Sequence, residues 1–254
     1  AQSYVSNETC SHLINDAPLL THIDVTETDA LNGEIFISWL KPNEFDSLQF
    51  PGPDYQYRIF RKSSDETSFT VIDTTFSIND TAIYDNQINT LELNYQYKVE
   101  FWGERNDSLQ FIETSDNSSS IYLNINSFDK KLRLNWEENV SWQNLNYTIF
   151  KLNDDHHSWD SIAETSQHFY FDENLENEKE YCYFVRSEGG YFAPDTLYPL
   201  FNRSQKNCGI PIDNVPPEIP EIEITTDCES IFFDIHFSSA EAAAEVKTFF
   251  IYIF

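Results

Sequence analysis

Four cysteines, at positions 10, 182, 208 and 228, are the most reactive side chains of the sequence. None belongs to a Cys-x-x-Cys pair, the spacing that zinc knuckles and thioredoxin-type redox sites require. They remain as disulfide partners or as small apolar side chains. His156 and His157 follow Asp154 and Asp155, which together carry the donor atoms of a metal site. In so polar a stretch they read instead as a turn between strands. There is no Asp-x-Asp-x-Asp-Gly loop, so no dedicated calcium loop is expected. There is also no Gly-x-Ser-x-Gly elbow, and no histidine stands with a Ser or Cys in a nucleophile motif. The expectation is a chain without catalysis, cofactor or bound metal.

Two modification patterns are denser. Asn-x-Ser/Thr occurs at Asn7, Asn79, Asn106, Asn117, Asn139, Asn146 and Asn202, which matters in a secretory eukaryotic setting. Asp-Ser/Thr followed by an apolar residue or Thr occurs six times, with hydroxyls at Ser47, Thr74, Thr81, Ser108, Ser161 and Thr196. Composition alone gives about one such triplet. The alternative is ordinary turn chemistry, in which Asp side chains hold the backbone of the next residues.

The elements that must position these residues follow from composition and period. Of 254 residues, 43 are Asp or Glu and 15 Lys or Arg, a net charge of -28. Such a surface repels phosphate and anionic lipid, which argues against nucleic-acid and peripheral membrane partners. No apolar run approaches the length of a membrane-spanning helix. The 21 Phe, 14 Tyr and 5 Trp exclude a disordered chain. Residues 34–39, 57–61, 70–72, 95–101 and 121–125 read as strands, the first entered through the hairpin dipeptide Asn32-Gly33. The one helical stretch runs from Ala240 to Lys247.

The set recurs. Leu132–Trp136 answers the strand ending at Trp39, 97 residues earlier, Tyr147–Lys151 answers Tyr57–Arg61, and Tyr181–Val185 answers Tyr95–Val99. A third copy begins at Ile231–Phe237 and reaches the apolar strand Phe249–Phe254. Cys10 and Cys208 lie 198 residues apart in similar local sequence, which is two periods of 99. A period near 100 makes each repeat a whole domain.

Seven short strands per repeat, a Trp late in the second, Tyr-x-Ile-Phe in the third and Tyr-x-Tyr-x-Val in the sixth resemble the fibronectin type III sandwich. The segments WEENVSWQNLNYTIFK, EYCYFVRSEGGY and PLFNRSQKNCGIPIDNVPP resemble, more narrowly, tandem modules of large surface proteins of gliding Bacteroidetes that carry a gliding-motility-associated C-terminal domain. The resemblance implies an all-β chain of tandem β-sandwiches that begins and ends inside domains. Residues 1–16 would be the last strand of an upstream domain, 17–125 and 126–214 two complete domains, and 215–254 the N-terminal part of a further one, entered through Pro216-Pro217. The four residues from Asn126 to Asp129 would join the complete domains as a stiff, rod-like pair.

The same resemblance gives the residues their roles. Trp39, Tyr57, Tyr95, Tyr97, Trp136, Tyr147, Tyr181 and Tyr183 would form the cores, with Tyr95 and Tyr181 placed as tyrosine corners. Cys182 and Cys208, on neighbouring antiparallel strands, would form a disulfide on the outer face. Cys10 and Cys228 would lack partners within these residues. The Asp-Ser/Thr triplets resemble the O-glycosylation motif of exported Bacteroidetes proteins, which makes their hydroxyls glycan acceptors. The implied role is a non-enzymatic spacer or adhesion segment of an exported surface protein secreted by the type IX system and linked to gliding or attachment. Its partners would be neighbouring domains of the same chain and outer-membrane secretion or surface machinery. The alternatives are an accessory module of a secreted polysaccharide-degrading enzyme and the ectodomain of an animal receptor.

Overall fold

The computed structural model describes residues 17–42, 45, 47–153, 155, 158–192 and 196–214, together with the backbone of two later strands, 222–226 and 233–237. Every regular element among them is a strand, and none of the described residues forms a helix long and apolar enough to cross a membrane. The stretch from Ala240 to Lys247, the strand Phe249–Phe254, Cys10, Cys228, His156 and His157 lie outside the described residues.

The first sandwich is built from β1 (Leu19–Glu27), β2 (Gly33–Leu40), β3 (Tyr55–Ser63), β4 (Thr70–Thr75), β5 (Ala82–Ile88), β6 (Tyr95–Arg105), β7 (Ser108–Thr114) and the short β8 (Ser118–Ser119). Its sheets have the orders β1-β2-β5 and β4-β3-β6-β7, with β8 on β6. The second sandwich repeats this with β9 (Tyr122–Phe128), β10 (Lys131–Glu137), β11 (Gln143–Leu152), β12 (Trp159–Thr165), β13 (Phe169–Glu173), β14 (Tyr181–Tyr191), β15 (Leu197–Arg203) and β16 (Asn207–Gly209). Its orders are β9-β10-β13 and β12-β11-β14-β15, with β16 on β14. Three strands facing four, twice in one chain, is a tandem fibronectin type III-like arrangement. A separate hairpin pairs β17 (Ile222–Thr226) with β18 (Phe233–Phe237).

One segment lies elsewhere than expected. Ile121–Ile125 opens the second sandwich instead of closing the first, because Leu123 and Ile125 pair with Trp136 and Leu134 of β10. Asn126 to Asp129 therefore sit in the β9–β10 hairpin and do not join the domains. The strand that closes the first sandwich is β7, reached from β6 through a two-residue turn in which Asn106 and Asp107 have φ of 54° and 57°. Asn and Asp tolerate this left-handed region, and its twist suits a tight hairpin.

The period of two dictates the cores. Along β6, Tyr95, Tyr97, Val99 and Phe101 are buried while their neighbours are half-exposed, and β14 buries Tyr181, Tyr183 and Val185 on the same period, with Cys182 buried between the two tyrosines. Trp39 meets Tyr57 edge-on at 5.3 Å between ring centroids, and Trp136 lies 5.3 Å from Tyr147. The eight aromatic residues assigned to the cores are all buried. Tyr181 accepts the Glu176 N–H on its hydroxyl, 3.1 Å away and five residues upstream, and the Asn89 backbone lies close to the Tyr95 hydroxyl.

Each sandwich also carries one polar tie between its sheets. Asp85 on β5 accepts the Tyr97 hydroxyl of β6 at 2.9 Å and the Arg61 guanidinium of β3 at 2.9 and 3.0 Å. Asp172 on β13 accepts the Tyr183 hydroxyl and the Lys151 ammonium, each at 2.7 Å. Asp85 is 7% exposed, so its charge needs both partners.

Burial, followed by the Asp85 charge, pushes the Tyr97 hydroxyl well above its usual range. Burial and Asp172 do the same to Tyr183. A folded-state pKa raised above the unfolded value of 10.0 gives stability that is complete below pH 10 and is lost as pH rises through the folded value. Thermal unfolding followed from neutral pH to about 11.5 should therefore show Tm falling beyond pH 10, with these tyrosines ionising only as the chain unfolds. A constant Tm while all 14 tyrosines titrate in the folded state would contradict the tie.

Candidate functional site

Edge strand β1 has β2 on one side and, among the described residues, no strand hydrogen-bonded on the other. Its outward backbone groups need partners, since an unpaired buried N–H or C=O costs as much as a lost hydrogen bond. The second sandwich supplies them. Asn202, 2% exposed on β15, accepts the Ile23 N–H on Oδ1 at 2.7 Å, and its Nδ2 donates to the Thr21 carbonyl at 3.4 Å. One side-chain amide thus stands in for a backbone strand. The next residue, Arg203, donates its N–H to Asp24 at 2.6 Å and its Nη2 to Asp24 Oδ2 at 3.0 Å. These hydrogen bonds hold the guanidinium pKa above its usual value. Lys206 N–H reaches the Thr28 hydroxyl at 2.8 Å.

An apolar plug lies beside this polar row. Trp142 and Leu200 of the second sandwich are 5% and 4% exposed and belong to the same buried cluster as Leu20, Ile23 and Trp39. Tyr191 packs on that cluster and donates its hydroxyl to the Leu20 carbonyl at 2.8 Å. Around the plug the Ser119 N–H donates to the Asn139 carbonyl at 2.7 Å, and the Ser141 N–H to the Ser118 hydroxyl at 3.0 Å. The sandwiches are therefore docked along β1 and β15, with a plug shared between them, rather than strung end to end as a rod.

The residue preceding each break in the last strand explains how β15 is free to do this. Ser115 and Ser204 occupy equivalent places after β7 and β15. Each takes the strand's last ladder bond on its hydroxyl, from Val99 N–H and Val185 N–H respectively, both at 2.9 Å. After the break Gln205 repeats the amide device inside the second sandwich, bonding the Leu123 N–H at 3.0 Å and the Leu123 carbonyl at 2.9 Å.

Cys182 and Cys208 are directly opposed in the β14–β16 ladder and joined by a disulfide with Cα atoms 4.0 Å apart. Cys182 is 6% exposed. Gly209 lets this strand lie against β9, because a Cβ there would come within 2.6 Å of Ile125 Cγ2. Among the described residues, the cysteines and Glu180 are the only three potential metal-ligating side chains whose donor atoms converge, and the disulfide removes both thiolates. Asp155 is the one described member of the sequence's Asp/His cluster.

The acceptor hydroxyls stand as follows: Ser47, Ser108, Ser161 and Thr196 are exposed, and Thr74 and Thr81 half-buried. Of the Asn sequons, Asn202 is the one whose amide is consumed by the seam, so it has no room for a sugar. The sequence reading missed Asp24, Trp142, Tyr191 and Arg203, and it read Asn202 only as a modification site. The available signal was Trp142 itself, a tryptophan six residues after Trp136 where the first repeat has Phe45 six residues after Trp39.

No family model and no curated protein matches the chain. Among solved structures it is similar to the FN1–FN3 domains of chicken CNTN1, at 15% identity and a TM-score of 0.27, covering 77% of this chain and 66% of that one. It is also similar to the central fibronectin-III array of RIM-binding protein, at 10% identity and a TM-score of 0.28, covering 88% and 80%. Likeness at that level carries no weight on its own, and the fold assignment rests on the sheet orders above.

Trp142→Ala should destabilise the first sandwich by about 3 kcal/mol although it lies in the second, since it empties the shared plug. Denaturant unfolding followed through first-sandwich probes measures this. An unchanged first-sandwich transition would show that the plug adds nothing across the seam.

Proposed function

We propose that the chain is a non-enzymatic structural and adhesion segment of a large exported cell-surface protein. The observation that carries this reading is the seam. Asn202, Arg203, Trp142 and Tyr191 fix one sandwich against the next, which suits a segment whose task is to hold other parts of a chain at set distances. The disulfide supports an oxidising, extracellular location.

In this reading residues 1–16 and 215–254 belong to neighbouring modules of the same kind, and the chain's first partners are those modules. Export follows the type IX route of Bacteroidetes, with outer-membrane secretion or surface machinery as the further partner and gliding or surface attachment as the role. The exposed Asp-Ser/Thr hydroxyls support glycan decoration, which would shield the open strand edges from pairing with other chains.

The test is the intact mass of the protein isolated from its native source. A mass above that of the polypeptide, with sugar mapped to several of Ser47, Thr74, Thr81, Ser108, Ser161 and Thr196, is expected, with Cys182 and Cys208 resistant to alkylation until reduced. A bare polypeptide mass with both thiols free would overturn the exported-surface reading.

A further inference from the structure

Leu132 and Leu134 turn the inner face of β10 into the second core, which leaves the other face of sheet β9-β10-β13 to solvent. At its centre Arg133 stands opposite Asn126 of β9 and Phe171 of β13, and Asn135 stands opposite Asn124 and Phe169. Phe169 and Phe171 are 40% and 38% exposed. Their rings lie 6.0 Å apart at 76°, and the Arg133 guanidinium is 5.5 and 5.8 Å from the two centroids. Arg133 is exposed. Among the described residues it pairs with no carboxylate, whereas Arg61, Lys98, Lys151 and Arg203 each do. The side-chain amides of Asn124, Asn126 and Asn135 likewise have no hydrogen-bond partner among the described residues.

The first sandwich does not build this face the same way. Arg133 and Lys131 precede Trp136 by three and five residues, where Phe36 and Glu34 precede Trp39. Asn126 opposite Arg133 takes the place of Asp24 opposite Phe36. Two acids of the first copy are thus an amide and an ammonium in the second. The carboxylates this face does carry, Glu137 and Glu173, stand at its ends, opposite Tyr122 and Lys131. Its centre is therefore positive in a chain of net charge -28. Salt screens the distant charges beyond about 8 Å, so the near ones govern a ligand lying on the sheet.

Each group at that centre asks for a different complement. The guanidinium fork matches a carboxylate bidentately. The negative face of an aromatic ring attracts polarised C–H groups. Side-chain amides donate to and accept from hydroxyls. A sugar ring that bears a carboxylate offers all three. With the rings nearly perpendicular, one can lie flat beneath such a sugar while the other flanks it.

We propose that this face binds an acidic polysaccharide, one uronic acid unit of which sets its carboxylate on Arg133 and its ring against Phe169 or Phe171, with Asn124, Asn126 and Asn135 on its hydroxyls. The proposal rests on the adhesion reading above and names the ligand class for it.

The experiment is calorimetric titration of the unglycosylated full chain, at fixed ionic strength, with hexamers of galacturonate and of mannuronate, and with the neutral hexamer of glucose as control. Saturable binding of at least one acidic hexamer is expected, about tenfold or more tighter than the neutral one. Arg133→Met keeps the apolar stem and removes the fork, and it should weaken binding about tenfold with Tm unchanged. Phe169→Ala should weaken it too. Arg58→Met, which removes a guanidinium stacked at 3.8 Å over Trp102 on a different sheet, should keep the wild-type affinity. No saturable binding by the wild-type chain, equal affinity for the neutral hexamer, or unchanged affinity in Arg133→Met would each overturn the proposal. So would self-association of the wild-type chain that Arg133→Met abolishes, since the face would then belong to a second copy. Failure here leaves the mass and alkylation test of the exported-surface reading untouched.

Discussion

A β-sandwich of three strands facing four has open edges, and an open edge must find partners or repel them. Here that constraint falls hardest on β1. Thr21 and Ile23 turn backbone groups away from β2, and the chain answers with an amide side chain from the neighbouring sandwich. Most other features of the seam follow from that choice. Asn202 can reach Ile23 only where β15 runs beside β1, which brings Arg203 to Asp24 and Lys206 to Thr28. The same placement seats Leu200 and Trp142 against Leu20 and Ile23. A polar row specifies the register and an apolar plug supplies the attraction, as in the rim and centre of a protein interface.

The repeat reuses its inner devices more faithfully than its outer ones. Asp85 and Asp172, Tyr97 and Tyr183, and Ser115 and Ser204 are matched pairs doing matched work in the two sandwiches. The cation differs, Arg61 in one and Lys151 in the other, yet each sits beside its carboxylate and over a tyrosine ring, Tyr95 and Tyr181. Asn202 and Arg203 have no such counterparts because their role is toward a neighbour. Features tied to one core recur with the core, and features tied to a joint belong to that joint alone.

The inner strands were legible in the sequence because alternation is strict where one face is buried. β2, β3, β6, β10, β11 and β14 all carry the aromatic or branched residues expected of them. The outer strands were not. β5 and β13 present Asp85 and Asp172 inward as part of the ties, which breaks the apolar alternation that marks a strand. Ile121–Ile125 was legible as a strand and misplaced as to sheet, because amphipathic alternation fixes which face is buried and says nothing of the partner. The seam itself was invisible, since an Asn whose amide replaces a backbone strand looks like any other Asn, and at 202 it even fits a modification motif.

The central claim is that Asn202 completes the edge of β1. Residue-resolved hydrogen exchange at the Ile23 amide addresses it directly. In the wild-type protein this amide should be strongly protected. In Asn202→Ala it should exchange at least tenfold faster, while Ile37 and Val99, whose partners lie within the first sandwich, keep their rates. Rapid exchange at Ile23 in the wild-type protein, or undiminished protection in Asn202→Ala, would contradict the account.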